Sequence, residues 1–138
     1  MRPFELVEHT SDVGIRARGG SLGEAFGNCA LGMMSLMLDP GKVRHERRVR
    51  IEAEAEDPEA LLVAWLSEIL FRVEAEGFAF ARFEDVEPGE GKVAGWGWGE
   101  PLDPERHDLR IEVKAPTYHG LELREENGVW VAQVIFDV

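Results

Sequence analysis

The chain has 138 residues, 44% of them hydrophobic, which is enough for one domain with a real core. Fifteen lysines and arginines against 27 aspartates and glutamates leave a net charge of −12; phosphate backbones are bound by cations, so tight direct binding of nucleic acid is not expected, and a basic protein partner or metal cations suit the chain better. No apolar run is long enough to cross a bilayer and Met1–Glu5 lacks the apolar core of a signal peptide, so a cytoplasmic chain without membrane contact is expected.

Phe4–Val7 begins a first strand. The short polar groups of His9, Thr10, Ser11 and Asp12 interrupt it, and Val13, Ile15 and Ala17 then alternate against Gly14, Arg16 and Arg18 as a second. Gly19-Gly20 breaks that pattern. Ser21 followed by Glu24 is a capping-box signature, and Leu22, Ala25, Phe26, Cys29, Met33 and Met37 recur at helical spacing. The half from Cys29 to Leu38 is apolar nearly all round, as in a helix buried on more than one side. Its methionines read as core filler, and Cys29, the single cysteine, as a buried small hydrophobe. Asp39-Pro40-Gly41 stops this helix. Val43–Ala55 alternates as a strand with Val49, Ile51, Ala53 and Ala55 inward and Arg48, Arg50, Glu52 and Glu54 outward. The basic run Arg44–Arg50 reads as a solvated face.

Asp57-Pro58 opens a second helix, an N-cap followed by proline at the first helical position; Gly77 ends it. Phe78, Phe80 and Val86 belong to a strand, residues 87–91 to a turn, and residues 93–99 to the return strand. Trp96 and Trp98 lie on one side of it. With acids around them and no cations adjoining in sequence, they read as packing or interface residues and not as a stacking platform for bases. Leu102–His107 reads as a polar loop. Leu109, Ile111 and Val113 mark a strand over Asp108–Ala115, leading into Lys114-Ala115-Pro116-Thr117-Tyr118-His119, where Pro116 belongs at an edge, a bulge or a bend. Leu121 and Leu123 follow. Asn127-Gly128 is a hairpin turn, and Val129–Asp137 is the last strand, with Trp130, Ala132, Val134 and Phe136 on one face. One domain is expected, residues 1–138: an α+β two-layer sandwich, a mostly antiparallel sheet with two helices on one face.

The chain carries no phosphate-binding glycine loop and no Gly-x-Ser-x-Gly elbow. Among the many carboxylates two stand apart. Asp12 sits in the polar break after His9, and Asp137 adjoins the terminal carboxylate of Val138 at the end of a core-like strand. Neighbouring carboxylates repel, and a hard divalent cation with oxygen ligands relieves that repulsion; the alternative is that Asp137 only ends a strand.

Five segments, residues 9–15, residues 20–26, residues 57–62, residues 113–119 and residues 134–138, occur in the order and spacing of the archease family, which the chain resembles from residue 4 to its last residue. Two departures are visible: Ser11 where the family usually has alanine, and Pro116 where it usually has a small aliphatic residue. The resemblance implies an activator of the GTP-dependent RNA ligase of tRNA splicing and RNA repair, promoting ligase guanylylation and multiple turnover without turnover of its own. It implies a divalent cation, calcium, with manganese or magnesium as alternatives, held by Asp12, Asp137 and Val138. It puts the residue for ligase activation at Lys114, and His9 and His119 beside the site. Two other functions compete: a stand-alone metal-dependent hydrolase using His9, Asp12, His119 and Asp137, and a chaperone-like protein-binding module with an exposed apolar patch.

Overall fold

A computed structural model describes residues 2–8 and 12–138. The elements run β1 (Phe4–Glu8), β2 (Val13–Gly19), α1 (Leu22–Met37), a single 3-10 turn (Pro40–Lys42), β3 (Arg47–Glu54), α2 (Pro58–Glu76), β4 (Phe78–Pro88), β5 (Lys92–Pro101), β6 (Ala115–Glu126) and β7 (Val129–Asp137). The class is the expected α+β sandwich. The strands, however, divide into two antiparallel sheets, ordered β1-β2-β7-β6 and β3-β5-β4. Both helices bridge them, α1 against β2, β7 and β4, and α2 against β3, β4 and β6. Alternation tells which face of a strand is buried, but leaves open which strand it pairs with.

Local signals set the helix ends. The Ser21 hydroxyl accepts from the Glu24 amide at 3.1 Å, and the Glu24 carboxylate reaches back to the Gly20 amide at 3.1 Å. Asp57 accepts from the Ala60 amide at 2.8 Å, Pro58 opens α2, and Gly77 closes it in the left-handed region at φ 63°. The core these helices cover holds Phe26, Trp65, Phe80 and Phe136, all fully buried. The Trp65 indole donates to the Phe26 carbonyl at 3.2 Å, so the largest core side chain leaves no polar atom unpaired. Cys29 is enclosed in the same core, and burial pushes its thiol up to about 12, so it stays an inert thiol.

On β5 the tryptophans look outward and the glycines between them face the core. A Cβ on Gly97 would stand 2.5 Å from the Phe80 ring, and one on Gly99 only 1.8 Å from the Ala79 carbonyl oxygen. The second contact is with backbone and cannot be relieved by a rotamer change. Gly99→Ala is therefore expected to destabilise the fold by about 2–3 kcal/mol through overpacking. Urea unfolding checks this; an unchanged midpoint would show that β4 and β5 separate without cost.

One expected strand is absent. Residues 108–114 form no strand, because their backbone amides are used elsewhere: Arg110 and Ile111 donate to the Met37 and Leu36 carbonyls at the end of α1, at 2.8 and 3.2 Å. These are carbonyls that a helix leaves without partners. Of the three alternating residues only Val113 is buried; Leu109 and Ile111 stay 49% and 43% exposed. The strand begins instead at Ala115 and continues past Leu121 and Leu123. It is an edge strand, as Pro116 requires, with a register irregularity between Thr117 and Glu122 where Gly120 takes φ 66°.

Candidate functional site

The central strand pair of the larger sheet brings together residues far apart in sequence. β2 and β7 are antiparallel with Val13 opposite Phe136. Asp12 immediately precedes Val13 and Asp137 immediately follows Phe136, so the two aspartates flank the last pair of that register. On the other side of β7, Ala115 is opposite Asp137 and the Lys114 amide donates to the Asp137 carbonyl at 2.8 Å. Three chain segments thus meet at one sheet end with Asp12, Asp137, Val138 and Lys114. Asp12 is half-buried, and the other three are exposed. His119 is exposed on the irregular part of β6, farther along the strand, and His9 lies outside the described residues, as do Thr10 and Ser11.

Carboxylate oxygens are hard donors and suit a cation such as calcium. Among the described residues no three His, Cys, Asp or Glu side chains gather into a metal-holding group. Asp12 and Asp137 therefore need a further oxygen donor. The oxygens of Val138, one residue along from Asp137, are donors of the same hard kind, so the chemistry of these residues fits a hard divalent cation.

Lys114 leaves this end in the direction of α2. It lines a groove there with Ser67, Phe71 and Glu74.

The segment leading to Lys114 is fastened by a cluster that the pattern of a polar loop conceals. Glu100, at the end of β5, is 2% exposed and His107 is fully buried. One Glu100 oxygen pairs with Arg106 at 2.6 Å; the other accepts from the Arg44 amide at 2.8 Å and faces His107 Nε2 at 2.8 Å. His107 Nδ1 accepts from the Asp103 amide at 2.9 Å, which places the imidazole proton on Nε2, pointing at Glu100. The Arg106 hydrogen bond, with those from the Arg44 amide and His107, holds the Glu100 carboxyl far below the usual carboxylate range against the opposing effect of burial. No substrate reaches so enclosed a group; it is a fastening, not a reaction centre.

The outer face of the smaller sheet differs from expectation as well. Cations do adjoin the tryptophans, supplied by the neighbouring strand: Arg48 and Arg50 lie over the Trp96 ring at 4.0 and 5.1 Å from its centroid. The Trp98 indole donates to Glu84 at 2.7 Å, and Glu84 also pairs with Arg82 and Arg48. Charges and rings satisfy one another there, so the face remains a packed ladder.

The fold and this end define a class: a small acidic α+β sandwich in which three chain segments, carrying Asp12, Asp137 and Lys114, meet at one sheet end. A model of the Archease protein family (MTH1598/TM1083) matches residues 4–138. The chain is 39% identical over 142 residues to protein archease of Pyrococcus furiosus, covering all of both chains, and 40% identical over 139 residues to that of Methanopyrus kandleri, covering 99% of each. The solution structure of Methanobacterium thermoautotrophicum protein 1598 superposes with a TM-score of 0.85 at 36% identity over the whole of both chains. A crystal structure from Thermotoga maritima, described as an archease and possible chaperone, shares the fold with a TM-score of 0.64 at 18% identity over all of this chain and 98% of that one. The chain belongs to the archease family.

Among the described residues no helix is long and apolar enough to cross a membrane.

Proposed function

We propose that this chain is a metal-binding activator of the GTP-dependent RNA ligase of tRNA splicing and RNA repair, promoting ligase guanylylation and multiple turnover without turnover of its own. The observation that supports this most is the register that pairs Val13, next to Asp12, with Phe136, next to Asp137, while the Lys114 amide is bonded to the Asp137 carbonyl. Asp12, Asp137 and the Val138 carboxylate would hold the cation, calcium first, with manganese or magnesium as alternatives. A bound cation supplies positive charge that neutralises the clustered carboxylates and can polarise a phosphate oxygen. Lys114, from the same sheet end but turned toward α2, contributes a mobile ammonium suited to a phosphate or an acidic group on the ligase. The acidic balance of the chain favours a basic protein surface over RNA as its direct partner.

The test of the activator role is a ligase guanylylation assay with catalytic amounts of the protein; no stimulation by the wild-type chain would end it. The metal is tested by calorimetric titration with calcium. Asp12→Ala and Asp137→Ala are each expected to weaken calcium binding by about tenfold or more, since fewer charged ligands lower affinity. Residues appended after Val138, which displace the terminal charge, should do the same. Unchanged affinity in all three variants would remove the metal site.

A chaperone-like role has one observation in its favour, the exposure of Phe71, Leu109 and Ile111. It requires protection of unrelated clients from aggregation without any need for calcium.

A further inference from the structure

Among the described residues the large exposed apolar side chains are Leu6, Phe71, Leu109, Ile111, Tyr118 and Val138. Three of them, Phe71, Leu109 and Ile111, line two adjoining grooves. Phe71, 54% exposed on α2, lines a groove of about 190 Å³ with Lys114 and Pro116. Leu109 and Ile111 line a second groove of about 550 Å³, floored by Leu38 and Val73. The two share one wall residue, Glu74. Neither exposure is forced by the secondary structure. The α2 core stripe of Leu66, Ile69, Leu70 and Val73 is already buried without Phe71. The segment that holds Leu109 and Ile111 is fixed through its backbone to the end of α1, with their side chains left outside.

We infer that this double groove is the surface on which the ligase docks, and that it receives an apolar side chain carried on a basic segment of the ligase. The inference rests on the activator function proposed above. Charge selects this occupant. Glu74 at the junction and Glu112 at the rim are exposed, and neither forms an ion pair among the described residues. The cation at the same rim, Arg110, is already committed to Asp108 at 3.5 Å, to Asp39 at 3.9 Å and to the Ser35 carbonyl at 3.1 Å. Covering two unpaired carboxylates with an apolar or acidic partner is costly, whereas a basic segment satisfies them. The chain's charge of −12 steers such a partner toward it. An aromatic anchor beside a groove is the kind of residue on which binding energy concentrates. Docking here also places the ligase against Lys114, which lines the smaller groove.

The experiment measures affinity for the purified ligase by calorimetry, with calcium present, for Phe71→Glu, Ile111→Glu and the control Leu6→Glu. Leu6 is 56% exposed on β1, at the edge of the larger sheet opposite β6. Phe71→Glu and Ile111→Glu are expected to lose affinity by about tenfold or more, with unfolding temperature and calcium titration unchanged, and Leu6→Glu to bind as wild type. Phe71→Ala, which removes the ring without adding charge, gives the same loss and serves if the glutamate disturbs α2. Wild-type affinity in the Phe71 and Ile111 variants, or an equal loss in Leu6→Glu, overturns the docking surface while leaving the activator role standing. A wild-type chain that neither binds nor stimulates the ligase overturns both.

Discussion

Glu100→Ala is expected to destabilise the fold by about 3 kcal/mol, because removing one partner of a buried ionic cluster strands the others. The Arg44 amide and His107 Nε2 would lose their acceptor inside the fold, and Arg106 would lose its closest carboxylate. For a domain of this length the change corresponds to a fall in unfolding temperature on the order of 10 °C. The pH dependence has a definite sign. The Glu100 carboxyl is held far below its ordinary range in the folded chain by Arg106 first, then by the Arg44 amide and His107. A depressed carboxylate contributes stability that is fully present above the unfolded value of about 4.3 and is lost as pH falls below it toward the folded value. The gap in unfolding free energy between wild type and Glu100→Gln should therefore be widest near neutrality and close steadily below about pH 4. Denaturant unfolding at a series of pH values checks this. A gap that stays constant down to acid pH would show that the cluster does not depend on the carboxylate charge.

Lys114→Ala should leave the fold intact and abolish ligase activation. The side chain is exposed and only its backbone is bonded to β7, so unfolding should shift by less than ~0.5 kcal/mol. In the complex its ammonium would meet a phosphate or a carboxylate. Losing a charge-assisted contact whose partner is buried costs roughly 2–5 kcal/mol, which at its lower end is already more than about tenfold in rate or affinity. Lys114→Arg keeps the charge but exchanges a compact ammonium for a planar fork, so it should restore docking better than turnover. The measurement is ligase guanylylation with catalytic amounts of each variant, paired with thermal unfolding and calcium titration. Wild-type stimulation by Lys114→Ala would remove the role assigned to this lysine.

The consequences of these two residues were not equally visible before folding. Lys114 stands in a family motif and was legible as a candidate, as were Asp12, Asp137 and Val138. Glu100 and His107 were not. Glu100 follows a glycine-tryptophan strand, and His107 closes a stretch that reads as a polar loop. Their meaning comes from the Arg44 amide, 56 positions from Glu100. The strand expected over Asp108–Ala115 failed for a related reason. Alternation of Leu109, Ile111 and Val113 is the pattern of a half-buried strand, but the Arg110 and Ile111 amides are bonded to free carbonyls at the end of α1 instead of to a neighbouring strand. The cations over Trp96 were missed because they come from β3, and nothing near Trp96 in sequence announces that neighbour.

What the sequence by itself determined is what depends on a few adjacent residues. Ser21 with Glu24, Asp57 with Pro58 and Gly77 set the helix ends, because a cap is a hydrogen bond or a dihedral preference acting within one turn. The periods of the apolar residues set which faces are buried, and the motif spacing marked the family. Only the tertiary structure decided that the strands form two sheets, that the ends bearing Asp12 and Asp137 are joined through Val13 and Phe136 with Lys114 alongside, and that Phe71, Leu109 and Ile111 remain uncovered. Strand pairing and burial of a given side chain depend on contacts between segments many tens of residues apart, which compete for the same donors, acceptors and core volume. That competition is resolved only when the whole chain packs.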